Sequence, residues 1–439
     1  MKINHEEDSI ERDHSITLIR KENERNKREI RRLKASASFK LGLHLTQAVR
    51  KPWRLFFLPI SFPWIALNLG LEKIGKKSNA SHGELSQKSE LTRKNSIVFF
   101  PTNGVGFGHF TRLLAIAKAL RKKDTEIEIV FFTQMPTLHV LYSEGFPTYH
   151  IAGRYKFSKM EPREWNAMVE EMLRLVFETH KPKYFVFDGT YPYRGMLDAI
   201  ESQIGMQKWW VRRGSVRKSK SIPAGSLDYF DGLLIPAEID TQQSSVEKEH
   251  IVSPISILNP EDAWNRDTAR MKLSIPPHSK VVYVQLGAGQ INDINSVLRR
   301  VLNNLFQMED IVVVLGESML GNRLDFQHEK LRVLRDYPNS LYFNAFDYSI
   351  QAGGYNSFYE MRRFGIPTLF IPNSKTGFDD QLSRCMQSVN EGWGLVANEN
   401  DSNLDQILVR LLEMNSISIP MKNGAVEAIE AMNLFNQNN

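Results

Sequence analysis

The pattern of apolar and polar residues changes near residue 97, and from there on it predicts folded structure. Short runs rich in β-branched and aromatic residues alternate with longer segments in which apolar residues recur every three or four positions. This alternation is typical of parallel strands joined by helices, so it predicts an α/β fold. Strand-like runs of the first series lie at 97–101, 127–133, 184–188, 208–213 and 232–236.

A second series of the same kind follows a proline-containing stretch at 253–277, which we interpret as a hinge region. Its strand-like runs lie at 281–287, 311–316, 341–344, 349–354 and 368–372, and a helical pattern at 424–435 closes the chain. Because 439 residues are too many for one ordinary domain, we predict two α/β domains, residues 95–255 and 256–439.

The chain before residue 95 has a different character and divides into three segments. Residues 1–34 are almost all polar or charged and predict an exposed helix. A coiled coil is disfavoured there because no sustained apolar seam is present. Residues 78–94 are polar with few large apolar side chains, which is typical of a linker.

The middle segment, residues 35–77, is basic and aromatic. Between 31 and 77 the chain carries ten Lys or Arg and a single acid, and 55–71 is a stretch of 17 residues without charge. That length is the lower limit for a spanning helix, and Pro59 and Pro63 weaken this interpretation. We favour an interfacial segment on an anionic membrane. A helix packed on the folded domains and a true span stay open as alternatives.

Composition places the protein among soluble globular proteins, with 42% hydrophobic and 24% charged residues. Cys385 is the one cysteine, which excludes an intrachain disulfide and a cysteine-based metal site and fits a reducing compartment. The N-terminus is not a secretory signal, so we expect a cytoplasmic protein, peripheral at the inner face of the membrane. The net charge of +6 suits anionic partners. We expect no nucleic acid among them, because the basic residues concentrate beside the apolar segment.

The first glycine-rich loop follows the first strand-like run and precedes a helical pattern. It contains Gly104, Gly106 and Gly108, followed by His109. Backbone N–H groups and the positive helix end of such a unit suit an anion, although the glycines also fit tight packing. The spacing is G-x-G-x-G, and the second strand-like run ends without an acid at Thr133. Both features argue against a nicotinamide or flavin enzyme.

Two charged residues end later strands of the same predicted sheet, at the edge where ligands bind in parallel sheets. Asp188 ends the run at 184–188 and is interpreted as a base, as a group that orders His109, or as a solvated turn residue. Arg213 ends the run at 208–213, where it suits a phosphate or the open surface.

The second glycine-rich loop lies in the second domain. Gly353 and Gly354 follow a short strand-like run, Asn356 and Ser357 suit the cap of the next helix, and Glu360 lies one turn further. Amides at such a helix start suit a diphosphate, and a carboxylate one turn later suits ribose hydroxyls.

A polar group follows the run at 368–372. Asp379, Asp380 and Gln381 suit the hydroxyls of a hexose, while the two acids also fit the N-terminal charge of a helix.

These motifs together resemble a known family. The run GVGFGHFTR at 104–112 is similar to the GxGHxxR-type loop of GT-B glycosyltransferases related to family 28, which include the peptidoglycan N-acetylglucosaminyltransferase. The run AGGYNSFYE at 352–360, with FDDQ at 378–381, resembles the family's donor signature. The resemblance covers about residues 95–412 and implies a GT-B fold of two Rossmann-like domains, here behind a helical, basic and aromatic N-terminal extension.

On the donor side, the resemblance assigns the diphosphate to the glycine-rich loop and the hydroxyls to the residues after it. It implies that Glu360 binds the ribose. It also implies that the diphosphate is held by Gly353, Gly354 and Ser357, and the sugar by Asp380 and Gln381. The other predicted donor-site residues are Gly287, Asn356 and Asp379. The chain departs from the family at Tyr355, Asn356 and Ser357. Family members usually have a small residue at this place, often followed by Thr.

On the acceptor side, the resemblance places His109 near the reacting centre as base or orienter, with Asp188 second, and Arg112 matches the arginine of GHxxR. It implies an inverting transfer of a hexose from a nucleotide-diphosphate sugar, by family habit a UDP-sugar. We expect neither a metal nor another cofactor, because amides and helix dipoles neutralise the leaving group. The expected acceptor is a lipid-linked or cell-envelope glycan.

Two other functions remain compatible with the same motifs. One is a sugar-nucleotide epimerase of the same fold, which needs no acceptor and leaves the membrane-like segment without a role. The other is a non-catalytic GT-B-like protein that binds a nucleotide or assists an active transferase.

Overall fold

The computed structural model describes most of the chain beyond residue 92. The described ranges are 93–102, 106–154, 160–212, 225–238, 248–287, 294–317, 319, 326–373 and 379–434, with Phe39, Gly42, Thr46, Pro63 and Trp64. The predicted segments 1–34, 35–77 and 78–94 therefore lie almost wholly outside the described residues, as do Gly104 and Arg213. Within the described ranges, every helix is too short or too polar to cross a membrane.

The first sheet has seven parallel strands. They are β1 Lys94–Pro101, β2 Glu128–Thr133, β3 Thr148–His150, β4 Pro182–Asp188, β5 Gln207–Val211, β6 Gly232–Pro236 and β7 Glu249–Val252. Their order across the sheet is β3-β2-β1-β4-β5-β6-β7. The central strands are continuous apolar runs because helices cover both faces of a parallel sheet.

Among the described residues, four helices connect the strands of this sheet: α1 Gly108–Lys123, α2 Leu138–Ser143, α3 Pro162–His180 and α4 Arg194–Glu201. The longest, α3, begins where the sequence dictates, with a proline in its first turn and a capping box between Glu161 and Glu164. It ends at Lys181, whose left-handed backbone (φ 45°) terminates the helix.

The second sheet has six parallel strands. They are β8 Lys280–Gln285, β9 Ile311–Gly316, β10 Leu331–Leu334, β11 Tyr348–Gln351, β12 Thr368–Phe370 and β13 Gly394–Val396, in the order β10-β9-β8-β11-β12-β13. Its helices are α5 Arg266–Lys272, α6 Ile294–Gln307, α7 Tyr355–Phe364, α8 Gln381–Asn390 and α9 Leu404–Leu412. Alternate residues of β8 enter separate apolar clusters on the two faces, Tyr283 on one and Val284 on the other.

The last helix, α10 Gly424–Ala431, returns to the first sheet. Ala428 and Ile429 are fully buried in the cluster that also contains Phe110 of α1. The Glu427 carboxylate accepts hydrogen bonds from the backbone N–H and the hydroxyl of Ser253 at 2.6 and 3.1 Å. Both sheets belong to one compact unit, residues 88–220 and 228–439. The C-terminal helix thus ties the end of the second half of the chain to the core of the first.

The predicted fold class, two parallel α/β sheets, is confirmed. The pattern missed four strands, β3, β7, β10 and β13, and these are the edge strands of the two sheets. Edge strands are short and partly solvated, so they lack the apolar run that marks a central strand.

One predicted strand is wrong. The run at 341–344 lies in a 3₁₀ helix, Asn339–Ala345. β11 begins at Tyr348, three residues after the 3₁₀ helix ends at Ala345. Two parallel strands cannot be joined so closely, because their crossover needs about a dozen residues or more. The apolar side chains of the run are buried all the same, in the core beneath the second sheet.

Both sheets reverse their strand order once, between β1 and β4 and between β8 and β11. Ligands of open parallel sheets bind outside the carboxyl ends of the strands at such a switch point. The two glycine-rich loops of the sequence lead away from these positions, after β1 and after β11. The topology therefore places each predicted loop where its sheet is built to receive a ligand.

The packing of α10 predicts a stability difference within that helix. Ile429→Ala should lower the free energy of unfolding by about 2–5 kcal/mol, because it removes buried methylene groups and leaves a cavity. Val426, with 38% of its surface exposed, is the matched control. Val426→Ala should change the free energy of unfolding by about 0.5 kcal/mol or less. Urea denaturation of both variants measures the difference, and equal effects would show that α10 is not anchored in the first core.

Candidate active site

The switch point of the first sheet brings a helix start and a strand end together. Asp188, the last residue of β4, lies in register with Pro101, the last residue of β1, and its carbonyl accepts from the N–H of Thr102 at 2.9 Å. α1 begins at Gly108 without a side-chain cap, so His109 stands in its first turn. His109 and Asp188, which are 79 residues apart in sequence, are thereby neighbours.

His109, Arg112 and Asp188 form one hydrogen-bonded cluster. Nδ1 of His109 lies 2.6 Å from Oδ1 of Asp188. Arg112 donates from Nε to Oδ2 at 2.9 Å and from Nη2 to Oδ1 at 2.7 Å, so it holds both carboxylate oxygens. The side chain of Asp188 is 0% exposed, that of Arg112 3% and that of His109 19%. The cluster is closed to solvent except on the side of the imidazole.

The carboxyl group of Asp188 stays ionised although it is buried. Burial alone would raise the pKa of this carboxyl, but the Arg112 guanidinium and then His109 hold the pKa below its ordinary value. Conversely, burial would lower the pKa of Arg112, and the Asp188 carboxylate raises it above its ordinary value. Asp188 is therefore an anion at neutral pH, and the solvated-turn interpretation of this residue is wrong.

This anion favours one tautomer of the imidazole. Nδ1 lies 2.6 Å from a carboxylate oxygen of Asp188 and 2.9 Å from Nη2 of Arg112. The contact with the carboxylate is the shorter one and requires a proton between the two atoms, so it favours neutral His109 with its proton on Nδ1. Nε2 is then the ring nitrogen that accepts a proton. The geometry suits His109 as a base and Asp188 as the group that orders it, which is one of the roles considered for Asp188.

The second glycine-rich loop leaves β11 at the other switch point. Gly353 has φ 80°, and a Cβ on it would collide with the sulfur of Cys385, so this position requires glycine. Gly354 is the N-cap of α7, and Asn356 and Ser357 lie in the first turn. The prediction that these two side chains cap the helix is wrong. Gly287, after β8, also has a left-handed backbone, with φ 96°.

Glu360 lies one turn into α7. Burial raises its pKa to about 7, against the opposing effect of Arg363. In the part of the chain that the structure describes, no protein group donates a hydrogen bond to its carboxylate. The side chain is half-buried, and its carboxylate still has its full capacity to accept hydrogen bonds from a ligand.

Arg384 of α8 organises the loop from behind, and the sequence did not reveal it. Its guanidinium is buried and donates to the carbonyl of Gly353 at 3.0 Å, to Asp379 at 2.7 Å and to Glu238 at 2.8 Å. Burial would lower the pKa of Arg384, but the carboxylates of Asp379 and Glu238 raise it above its ordinary value. Arg384 therefore holds both the glycine loop and Asp379, which lies two residues before α8.

The three polar residues predicted to bind a hexose differ in their surroundings. Both carboxylate oxygens of Asp380 accept from Ser383, one from its N–H and one from its hydroxyl, so Asp380 is the cap of α8. Gln381 accepts from the N–H of Asn373 at 2.9 Å and donates to Asp379 at 3.3 Å. The structure brings Asp379 and Gln381 together, whereas Asp380 serves the helix.

Contacts between the two halves bring their loops face to face. The Asn356 amide donates to the carbonyl of Gly108 at 3.4 Å. The hydroxyls of Tyr337 and Thr111 are 2.8 Å apart, and the rings of Tyr337 and Phe107 stack with centroids 5.0 Å apart. The predicted acceptor loop and the predicted donor loop therefore border one site.

Two curated relatives match part of the chain, whereas no family model matches it. Both are UDP-N-acetylglucosamine–N-acetylmuramyl-(pentapeptide) pyrophosphoryl-undecaprenol N-acetylglucosamine transferases. That of Aquifex aeolicus is 26% identical over 129 residues, which are 29% of this chain and 37% of the relative. That of Clostridium botulinum is 28% identical over 162 residues, 35% of this chain and 42% of the relative. The chain thus spans about two fifths of the length of these relatives.

Solved structures match a much larger part. MurG of Acinetobacter baumannii covers 76% of this chain and 98% of its own, with 14% identity and a TM-score of 0.50. The spinosyn forosaminyltransferase SpnP covers 76% and 94%, with 14% identity and a TM-score of 0.54. UDP-GlcNAc 2-epimerase of Methanocaldococcus jannaschii covers 77% and 99%, with 12% identity and a TM-score of 0.51. These matches confirm the GT-B fold. The curated relatives confirm the resemblance to family 28.

The buried cluster predicts a large effect of removing one charge. Asp188→Asn should lower the free energy of unfolding by about 3–5 kcal/mol at neutral pH, because the Arg112 charge then loses its buried partner. The difference from the parent protein should shrink as the pH falls through the pKa of Asp188, since protonation removes the same charge.

Glu144→Gln is the matched control, because it breaks a partly exposed pair with Lys118 and should cost about 1 kcal/mol or less. Denaturant titrations at pH 7 and at about pH 2.5, which is below the ordinary pKa of an aspartate, measure both effects. An Asp188→Asn cost no larger than that of the control would contradict a charged, buried pair.

Proposed function

We propose that this protein is a glycosyltransferase that moves a hexose from a nucleotide-diphosphate sugar, a UDP-sugar by preference, to a hydroxyl of a membrane-associated or cell-envelope glycan. The observation that carries the proposal is the position of the His109–Asp188–Arg112 cluster against the loop at Gly353 and Gly354. A general base on one sheet and an anion-binding loop on the other are the two parts that such a transfer needs.

The relatives support the choice of substrates. The names of the curated relatives give a UDP-sugar as the donor and an undecaprenol-linked molecule as the acceptor. A lipid-linked acceptor agrees with the basic, aromatic segment at 35–77, through which we propose that the enzyme sits at the inner face of the membrane. That segment lies outside the described residues, so this part of the proposal rests on its sequence.

The proposed mechanism assigns the proton to His109. The acceptor hydroxyl gives its proton to Nε2 as its oxygen attacks the anomeric carbon, and the bond from that carbon to the diphosphate breaks. The imidazolium formed is stabilised by the Asp188 anion, which Arg112 keeps charged and in place. Attack from the side opposite the leaving group inverts the anomeric configuration.

The leaving nucleoside diphosphate carries away the electron pair, so its negative charge must be stabilised. Backbone amides at Gly353 and Gly354 and the first turn of α7, with Ser357, are proposed to do this without a metal. Glu360 is proposed to accept hydrogen bonds from the ribose, and Asp379 and Gln381 from the hexose.

An epimerase is the second candidate, and one observation favours it. UDP-GlcNAc 2-epimerase of Methanocaldococcus jannaschii matches with a TM-score of 0.51, which is as good as the match to MurG. The two activities differ in their products. Incubation of the protein with UDP-hexoses, first alone and then with an acceptor, distinguishes them. An epimerase converts the sugar without an acceptor and releases no UDP, whereas a transferase releases UDP when the acceptor is added.

The role of His109 predicts a specific kinetic effect. With membrane lipid extract as acceptor and a panel of UDP-hexoses, His109→Ala should slow UDP release by roughly 100- to 10,000-fold, because the base is lost. Donor affinity should change by about threefold or less, since His109 faces the acceptor.

His139→Ala removes an exposed histidine and should leave the rate unchanged. Equal rates for His109→Ala and the parent protein would end the assignment of His109 as the base.

The raised pKa of Glu360 predicts a pH dependence of donor binding. A group with a pKa of about 7 loses its charge as the pH falls from 8 to 6, and its ionised fraction drops about tenfold. Only the carboxylate accepts fully from ribose hydroxyls, so the dissociation constant of a UDP-hexose should rise by up to about tenfold over this range.

Calorimetric titration at pH 6, 7 and 8 measures the effect. Glu360→Gln keeps the shape of the side chain and should bind more weakly with a flat pH profile. If the variant and the parent protein show the same slope, Glu360 is not the group that binds the ribose.

A further inference from the structure

Tyr355 is one of the positions at which this chain departs from the family it resembles. It also contacts residues of both halves of the site. It follows Gly353 and Gly354 directly, where a small residue is usual, and it is the first residue of α7. Its side chain is 4% exposed. A large ring therefore replaces a small side chain at the start of α7, and its contacts indicate what the ring does.

Tyr355 contacts the first half of the chain at two places. Its hydroxyl donates to the carbonyl of Ala237, just after β6, at 3.1 Å. Burial raises its pKa well above the ordinary value, so the hydroxyl keeps its proton and remains a donor. The guanidinium carbon of Arg112 lies over the ring, 5.7 Å from its centroid. The ring is thus attached to the arginine that holds Asp188.

Tyr355 also contacts the arginine behind the donor loop. The guanidinium carbon of Arg384 lies 5.6 Å from the centroid of the same ring. Arg384 donates to the carbonyl of Gly353 and pairs with Asp379, and it reaches across to Glu238, next to Ala237. Two buried guanidinium groups, each neutralised by carboxylates of its own, therefore share one aromatic ring.

Cation–π attraction is stronger when both partners are removed from water, as they are here. The contacts form one continuous chain, from the His109 imidazole through Asp188, Arg112, Tyr355 and Arg384 to the Gly353 loop. Moving the donor loop without moving the ring would break these contacts. The ring thereby ties the position of the base to the position of the loop.

We propose that Tyr355 is a positioning residue, which holds the Arg112–Asp188 pair, and through it the imidazole of His109, against the donor loop. This inference rests on the proposed function for its meaning in catalysis. The aromatic ring is the part that acts on Arg112 and Arg384, and the hydroxyl adds an anchor on Ala237. The arrangement predicts different outcomes for variants that keep the ring and variants that remove it.

The first readout needs no substrate. Nitrogen-15 NMR of the imidazoles, with His109 assigned by its loss in His109→Ala, reports the protonation of Nδ1 and its hydrogen bond. Tyr355→Phe should leave the His109 signals as they are. Tyr355→Leu should shift them, because Arg112 loses the ring and the Asp188 carboxylate reorients.

Phe358→Leu is the matched control, since it removes a ring of the same helix that packs on Phe370 and Trp393 instead. It should leave the His109 signals unchanged. If Tyr355→Leu does not fold, as judged by circular dichroism, Tyr355→Met replaces it with a similar volume and no ring.

The second readout is turnover of a UDP-hexose with acceptor. Tyr355→Leu should lower kcat by roughly tenfold to 100-fold with the donor KM within about threefold, as expected from a small displacement of the base. Tyr355→Phe should retain nearly all of kcat.

The two readouts distinguish a failure of the proposed transferase function from a failure of the positioning role of Tyr355. A parent protein without transferase activity overturns the proposed function, while the His109 spectra still test the positioning role. Unchanged His109 signals in the ringless variant, equal shifts in Tyr355→Phe and Tyr355→Leu, or a gain of activity on removing the ring would each overturn the role of the ring.

Discussion

The buried carboxylate of Asp188 is the constraint on which the rest of the site depends. A charge that is 0% exposed at the end of a strand is tolerated only when it is paired and hydrogen-bonded. Arg112 and His109 supply those partners from one face of α1, three residues apart. The pairing therefore holds the first turn of α1 against the end of β4 and favours the imidazole tautomer in which Nε2 accepts a proton.

The second half of the site also contains a buried charge that must be paired, and this charge is a cation. Arg384 is a buried cation, and Asp379 and Glu238 neutralise it from the two halves of the chain. Because one of its partners follows β6 and another precedes α8, the ion cluster is complete when the two sheets are in contact. Tyr355 lies against both arginines, so the charge requirements of the two loops are met in one continuous set of contacts.

The sequence predicted what local periodicity controls. The central strands and the loops after them were readable because a buried parallel strand is a continuous apolar run and its end is marked by glycine or a charge. His109 and Asp188 were candidates for that reason. The edge strands were missed because they are short and half polar, and 341–344 was misread because its apolar residues are buried in a 3₁₀ helix. Arg384 and Glu238 gave no local signal, since their pairing spans 146 residues and depends on how the sheets meet.

Thermal unfolding of the full chain with UDP, GDP, dTDP or NAD shows whether the two loops form one sugar-nucleotide site. A ligand at about a hundred times its dissociation constant stabilises the folded state by about 2.7 kcal/mol, which is a measurable rise in Tm. We expect Tm to rise with a nucleoside diphosphate, UDP above all, and to stay unchanged with NAD. No rise with any diphosphate, or a rise with NAD alone, would contradict this expectation.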